Sequence, residues 1–92
     1  MIAKGVTLRS LEVFEALASC GSVAQAAKIA GLSQPAVSQQ LSKLEAALAT
    51  NLIQHNKRPM RLTQAGEVFL IHVKSALAEL RLAHTELNVM DL

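Results

Sequence analysis

The chain has 92 residues, of which 51% are hydrophobic and 17% are charged, and its formal net charge at pH 7 is +2. This length fits one small domain, and the hydrophobic fraction excludes an intrinsically disordered chain. The aromatic residues, Phe14 and Phe69, are too few for a single-strand nucleic-acid binder that stacks bases on aromatic side chains. The core is therefore expected to consist of Leu, Ile, Val and Ala, which suits helices.

The cysteine content and the apolar runs indicate the compartment. Cys20 is the single cysteine, which excludes an internal disulfide and a CxxC metal motif and favours a reducing compartment. No apolar run approaches the roughly 18 residues of a membrane span. Residues 1–5 are too short for a signal peptide and lack its apolar core. The sequence predicts a cytoplasmic protein without a membrane partner.

Two helices of modest length are predicted at the start of the chain. Apolar residues at helical spacing predict a first helix over 8–19, with Thr7 as its N-cap. Ser22 is the N-cap candidate of a second helix over 23–30, which Gly31 ends. The alanines of the second helix permit close approach to a neighbouring helix.

A third helix carries the most informative surface of the chain. Ser33 is its predicted N-cap, and the helix fades between Leu48 and Thr50. An apolar stripe at helical period is formed by Val37, Leu41, Leu44 and Leu48. The other side carries Pro35, Ser38, Gln39, Ser42 and Lys43. Hydroxyls and amides of this kind bond to phosphates and base edges, so this face predicts contact with DNA, with an idle polar surface as the alternative.

The second and third helices are joined by a turn of about three residues that contains Gly31, which is a helix-turn-helix pattern. A generic pair of antiparallel helices is the alternative. Residues 51–55 and 60–63 then predict two short strands around a basic turn over 56–59. Two strands with a basic tip after a helix-turn-helix indicate a wing that reaches DNA, rather than a plain solvated hairpin.

The last predicted helix runs over 64–88 with Thr63 as its N-cap, and it is about 37 Å long. Its apolar seam, spaced three and four residues apart, comprises Leu70, Val73, Leu77, Leu80, His84 and Leu87. The start of the helix can pack on the domain core. The remainder predicts a homodimer through this helix, and the alternative is a helix that folds back on its own domain.

The charge distribution agrees with a nucleic-acid partner. Five of the nine Lys and Arg residues fall within residues 21–66, where Glu45 is the one acid, and the acidic excess lies within 67–92. A basic centre of this size is a modest footprint for nucleic acid, and an ordinary solvated surface remains an alternative.

Four stretches together resemble the N-terminal DNA-binding domain of LysR-type transcriptional regulators. They are Leu8–Phe14, Gly21–Val23 with Ala26 and Ala27, Ser33–Leu41 with Leu44 and Glu45, and Arg61–Gly66. The resemblance implies a mainly α fold, a winged helix-turn-helix with a two-stranded β wing and a long C-terminal linker and dimerisation helix. It places the winged domain at 1–63 and the linker helix at 64–92.

The same resemblance implies a function. Members bind double-stranded DNA as dimers, on an interrupted and roughly palindromic operator, which here means a nucleoid-associated cytoplasmic regulator. The linker helices pair antiparallel. In full-length members an effector-binding domain follows, and we expect this chain to lack it, so that a small-molecule effector acts only through that missing domain. No cofactor is implied.

Resemblance and helix geometry together predict the site residues. The base-contacting candidates are Gln34, Pro35, Ala36, Ser38 and Gln39. The backbone-contacting candidates are Ser22, Ser33, Ser42, Lys43, His55, Lys57, Arg58 and Arg61. Ser22 and Ser33 also have a structural role as caps.

This chain departs from the family pattern at four positions. Gln39 stands where the family often has Arg after the second Ser of the third helix. Ile53 and His55 stand where Phe and Arg are frequent, and Ala49 replaces a common Gly.

The sequence also bears on catalysis, metal binding, redox sensing and protein binding. No nucleophile and base are paired in the sequence, so no enzyme is predicted, and the histidines show no metal spacing. Cys20 fits a small apolar residue at a helix end better than a redox sensor. The main alternative function is a winged-helix module that binds another protein and has no DNA specificity of its own.

Overall fold

The computed structural model describes residues 3–57 and 59–90, and it contains four helices and one two-stranded antiparallel sheet in the order α1, α2, α3, β1, β2 and α4. Their bounds are Leu8–Cys20 for α1, Val23–Ala30 for α2, Gln34–Leu48 for α3, Ile53–Gln54 for β1, Arg61–Leu62 for β2 and Gln64–Val89 for α4. This confirms the predicted mainly α fold with a two-stranded wing.

All four predicted N-caps are confirmed. In each case the side-chain oxygen of the cap accepts a hydrogen bond from the backbone N–H three residues later. The N–H of Ser10 donates to Thr7, that of Gln25 to Ser22, that of Ala36 to Ser33 and that of Gly66 to Thr63. The helix starts therefore follow from residue type alone, because these side chains satisfy backbone donors that the first turn leaves free.

The strands are shorter than predicted, with two residues each instead of five and four. They pair in the register Ile53 with Leu62 and Gln54 with Arg61. The N–H of Leu52 donates to the side chain of Glu45 and is therefore not available to a longer ladder. The wing is fixed at its base by a side chain as well as by strand pairing.

The core is one cluster to which every helix contributes. Its largest fully buried side chains include Phe14 and Leu17 from α1, Leu44 from α3 and Leu52 from the segment before β1. The rings of Phe14 and Phe69 lie 5.6 Å apart at an interplanar angle of 46°, which packs α4 against α1. Aliphatic side chains fill the remainder, as the composition indicates.

The seam predicted on α4 needs a correction. Val73 and Leu77 are each 3% exposed and belong to the core of their own domain. Leu70 also packs partly against this cluster. Leu80 and Leu87 remain exposed. A regular stripe does not distinguish a partner helix from the chain's own core, and the first half of this one faces α1.

No helix of the described part of the chain combines the length and the hydrophobicity that crossing a membrane requires.

The start of α4 is fixed against the segment that precedes β1. Thr63 donates its hydroxyl hydrogen to the Asn51 carbonyl over 2.7 Å, and its N–H donates to the Leu52 carbonyl over 3.0 Å. A Cβ at Gly66 would collide with that same carbonyl oxygen of Leu52. Gly66 is therefore required because the backbone of α4 passes close to the backbone of Leu52. Residues 62–66, with the sequence Leu-Thr-Gln-Ala-Gly, connect the wing to α4.

The end of α3 has a strained residue. Ala49 has φ +52° and is the one non-glycine residue with positive φ in the described ranges. Its N–H bonds to the carbonyls of Ala46 and Glu45, so the left-handed conformation closes the helix. A residue with a Cβ pays roughly 1–2 kcal/mol for this conformation, whereas glycine adopts it freely.

We predict that Ala49→Gly raises the free energy of unfolding by about 1 kcal/mol, because the left-handed strain is removed. Urea unfolding followed by circular dichroism measures this. The matched control is Ala46→Gly in the same helix, which should lower the free energy of unfolding by about 0.5–1 kcal/mol. An Ala49→Gly chain that unfolds at lower urea than the parent would contradict the strain argument.

Candidate nucleic-acid interface

The turn between α2 and α3 sets the angle of α3. Gly31 has φ +69°, and its N–H bonds to the carbonyls of Ala27 and Lys28. The N–H of Leu32 also returns to Ala27, over 2.9 Å. Leu32 packs partly against the core, and Ser33 then caps α3. Glycine is needed at the turn because the chain must reverse with a left-handed residue before α3 begins.

The two faces of α3 separate as the sequence predicts. Val37 and Leu44 are fully buried, and Leu41 is nearly so. The candidates for base contact are exposed except Ala36, which is half-buried; the exposed ones are Gln34, Pro35, Ser38 and Gln39. Hydroxyl and amide groups therefore line the outer side of a helix whose inner side is held by the core.

One cleft brings many of the predicted residues together. It lies between the start of α2, the outer face of α3 and the wing, and its lining includes Ser22, Gln34, Pro35, Ser38, Ser42, His55 and Lys57. Ser33, Gln39, Lys43 and Arg61 are exposed but lie outside this lining. Arg58 falls outside the described residues. The cleft thus combines base-contacting and backbone-contacting candidates on one surface.

A buried carboxylate connects α3 to the wing. Glu45 is 8% exposed, and its Oε2 accepts the N–H of Leu52 over 2.6 Å and that of Ile53 over 3.3 Å. Its Oε1 lies 2.9 Å from Nε2 of His55. This role of Glu45 was not predicted from the sequence. The signal was available, because Glu45 follows Leu41 by four residues and so lies on the apolar side, where a carboxylate needs partners.

The wing is closed by further bonds around its turn. The side chain of Gln54 donates to the Leu62 carbonyl over 3.1 Å, and the N–H of Lys57 donates to the Gln54 carbonyl over 3.2 Å. These bonds turn the chain directly after β1. The basic residue Lys57 is thereby placed on the same side of the molecule as the exposed face of α3.

Two arginines outside the cleft hold helices together. Arg9 donates to the carbonyl of Ala30 over 2.7 Å and so satisfies the end of α2. Arg81 donates to Glu15 over 2.8 Å and links α4 to α1. The hydrogen bond and the negative charge of Glu15 raise the pKa of Arg81 above its usual value. Neither arginine was among the predicted site residues, and their distant partners could not be read from spacing.

Cys20 lies at the end of α1, half-buried against the core, and its thiol donates to the Ala16 carbonyl over 2.7 Å. This placement is that of a packed residue at a helix end.

Residues 8–67 match the model of a protein family described as bacterial regulatory helix-turn-helix protein, lysR family. The chain belongs to the LysR family. It is 42% identical over 71 residues to the HTH-type transcriptional regulator CbbR of Rhodospirillum rubrum. The aligned residues make up 77% of this chain and 24% of that relative. The chain thus spans about a quarter of the length of the curated relatives it matches.

Solved structures of other LysR-type proteins share the fold. The BenM_DBD complex with benA site 1 DNA has a TM-score of 0.86 and 26% identity, over 90% of this chain and 93% of that one. The CbnR_DBD–DNA complex has a TM-score of 0.82 and 32% identity, over 90% of this chain and 95% of that one. The resemblance seen in the sequence is therefore confirmed, and this chain is the DNA-binding domain of a LysR-type regulator.

Two departures from the LysR pattern have a structural setting. Ala49 occupies the left-handed position where the family commonly has Gly, which explains that preference physically. His55 occupies a position where the family often has Arg, and here it pairs with the buried carboxylate of Glu45.

We predict that Glu45→Gln lowers the free energy of unfolding by about 1–3 kcal/mol, since the buried bonds of the carboxylate to two backbone N–H groups and to His55 are weakened. Chemical unfolding measures the change. The control is Glu79→Gln, an exposed acid on α4, which should leave the free energy of unfolding nearly unchanged. Equal effects of the two substitutions would show that Glu45 does not hold the wing.

Proposed function

We propose that this chain binds double-stranded DNA sequence-specifically as a homodimer, and that it regulates transcription from an interrupted, roughly palindromic operator. The observation that supports this most is the cleft, in which the exposed face of α3 and the basic wing lie side by side. In this role the protein acts at the nucleoid, without a catalytic step and without a cofactor. Residues 1–63 act as the winged domain and 64–92 as the linker helix, and an effector acts only through a further domain.

The exposed face of α3 reads base edges in the major groove. Gln34 and Gln39 carry amides that match the donor and acceptor pair of adenine, and Ser38 bonds to a base or a phosphate. Pro35 contacts a thymine methyl group. Ala36 is half-buried and contributes less surface than the other four.

The backbone contacts surround this helix. The residues proposed for phosphate contact are Ser22, Ser33, Ser42, Lys43, His55, Lys57, Arg58 and Arg61. Hydroxyls at the starts of α2 and α3 add to the attraction that helix N-termini exert on phosphate. Because the cations among these residues release counterions from DNA on binding, affinity should fall steeply as salt rises.

The homodimer is supported by a second stripe on α4, on the side away from the core. Its members are exposed and are spaced three and four residues apart: Val68, Ile71, Ser75, Ala78, Leu82, Thr85 and Val89. Val73 and Leu77 do not belong to the proposed interface, because the core of their own domain covers them. Leu70 is partly covered, whereas Leu80, His84 and Leu87 stay candidates for contact with the second copy.

We predict that Leu82→Asp converts the dimer to a monomer, because a charge in the apolar stripe would be buried without a partner. Sedimentation velocity measures the mass. The control Asn88→Asp adds the same charge to α4 outside the stripe and should leave the dimer intact. A Leu82→Asp chain that stays dimeric would contradict this assignment of the interface.

We predict that the purified chain selects an operator from fragmented genomic DNA, and that Gln39→Ala costs about 1–3 kcal/mol on that operator with little change on unrelated DNA. Lys57→Ala, on the wing, should weaken binding to both duplexes alike, since a phosphate contact carries no sequence information. Fluorescence anisotropy measures both affinities. Equal losses from Gln39→Ala on both duplexes would reject its base-reading role. A failure to bind any duplex at low salt would favour a protein-interaction module instead.

A further inference from the structure

His55 sits where the wing meets α3. Its side chain is 51% exposed, and its Nε2 lies 2.9 Å from Oε1 of Glu45. It lines the cleft that also holds the outer face of α3. In the described part of the chain, the charged groups that share a cleft with His55 are Lys57 from the wing and Glu45 from α3, and α2 contributes none. One ring edge is thus paired with a carboxylate while much of the ring faces solvent.

The contact with Glu45 fixes which ring nitrogen carries the hydrogen. An ionised carboxylate has only acceptor atoms. Oε2 of Glu45 accepts two backbone N–H bonds, and Oε1 is the acceptor that faces His55. Nε2 of His55 must then be the donor. In the neutral ring the other nitrogen, Nδ1, consequently holds a lone pair and has no hydrogen to offer.

This tautomer decides what His55 can do beside DNA. A neutral ring presents the Nδ1 lone pair, which a phosphate oxygen does not bind. A protonated ring keeps its Nε2–H on Glu45 and gains an Nδ1–H that can donate to phosphate with a full positive charge.

We propose that DNA binding by this chain takes up a proton at His55, one for each half-site, so that the affinity for DNA rises as pH falls through the range in which imidazole titrates. This rests on the proposed function and adds its regulation. DNA favours the protonated ring, so the added affinity is fully present at low pH and is lost as pH rises. An Arg at this position is charged at every physiological pH and has no such dependence.

The experiment is a titration of a fluorescein-labelled, mixed-sequence duplex of about 30 base pairs, long enough for two half-sites, at constant ionic strength. Mixed sequence suffices because a phosphate contact is independent of sequence. Between about pH 8 and pH 6 the Kd should fall about tenfold for each of the two half-sites, the size expected of one charge-assisted bond at each. The slope of log affinity against log salt should steepen at pH 6 by about 0.9 for each added phosphate contact.

Three variants make the test specific. His55→Arg should bind with a Kd that hardly changes with pH and resembles the parent at pH 6. His55→Gln should also lose the pH dependence but resemble the parent at pH 8. His72→Gln, an exposed histidine on α4, should keep the parent's pH dependence. Circular dichroism at both pH values checks that each variant is folded.

The outcomes are distinct. Parent protein that binds DNA with a steep salt dependence but with one Kd at both pH values overturns the proton uptake and leaves the proposed function standing. A pH dependence that persists in His55→Arg overturns it too, since another group would then be titrating. A parent that binds no duplex at either pH overturns the proposed function and this inference together.

Discussion

The carboxylate of Glu45 is the interaction on which the DNA-facing surface of this domain depends. It lies on the inner side of α3, is almost completely buried, and accepts the N–H groups of Leu52 and Ile53 from the segment that opens the wing. A buried carboxylate without these donors would be costly, so the wing base and α3 stabilise each other. One helix therefore carries the residues proposed to read bases and fixes the hairpin proposed to hold the backbone.

A second set of contacts joins that hairpin to α4. Thr63 caps α4 and at the same time bonds to Asn51 and Leu52, and Gly66 lets the helix pass close to the Leu52 carbonyl. The segment around Leu52 is thus shared by α3, the wing and α4. A displacement of any one of these elements must be transmitted to the other two, because interiors are packed too closely to deform locally.

Helix starts, the turn and the wing could be predicted from the sequence because each has a local cause, such as a capping hydroxyl at Ser22 or Thr63 or a left-handed glycine at Gly31. The partners of Arg9, Arg81 and Glu45 could not, since they depend on residues far away in the chain or across a turn. The prediction that Val73 and Leu77 belong to a dimer seam on α4 needed correction for a different reason. α4 has two stripes of similar period, and periodicity alone does not say which one faces the domain's own core.

The division of α4 into an embedded half and a projecting half has a mechanical consequence. Beyond Leu77 the helix continues for about 18 Å to Val89 without burial in its own domain. In the proposed dimer this part of α4 is a rigid helix that is anchored in the core at one end and contacts the second copy at the other. A tilt of about 10° moves that end by about 3 Å, close to the rise of one base pair along DNA. A small change in the crossing angle of the two α4 helices would therefore shift α3 of one copy along the DNA groove relative to α3 of the other copy.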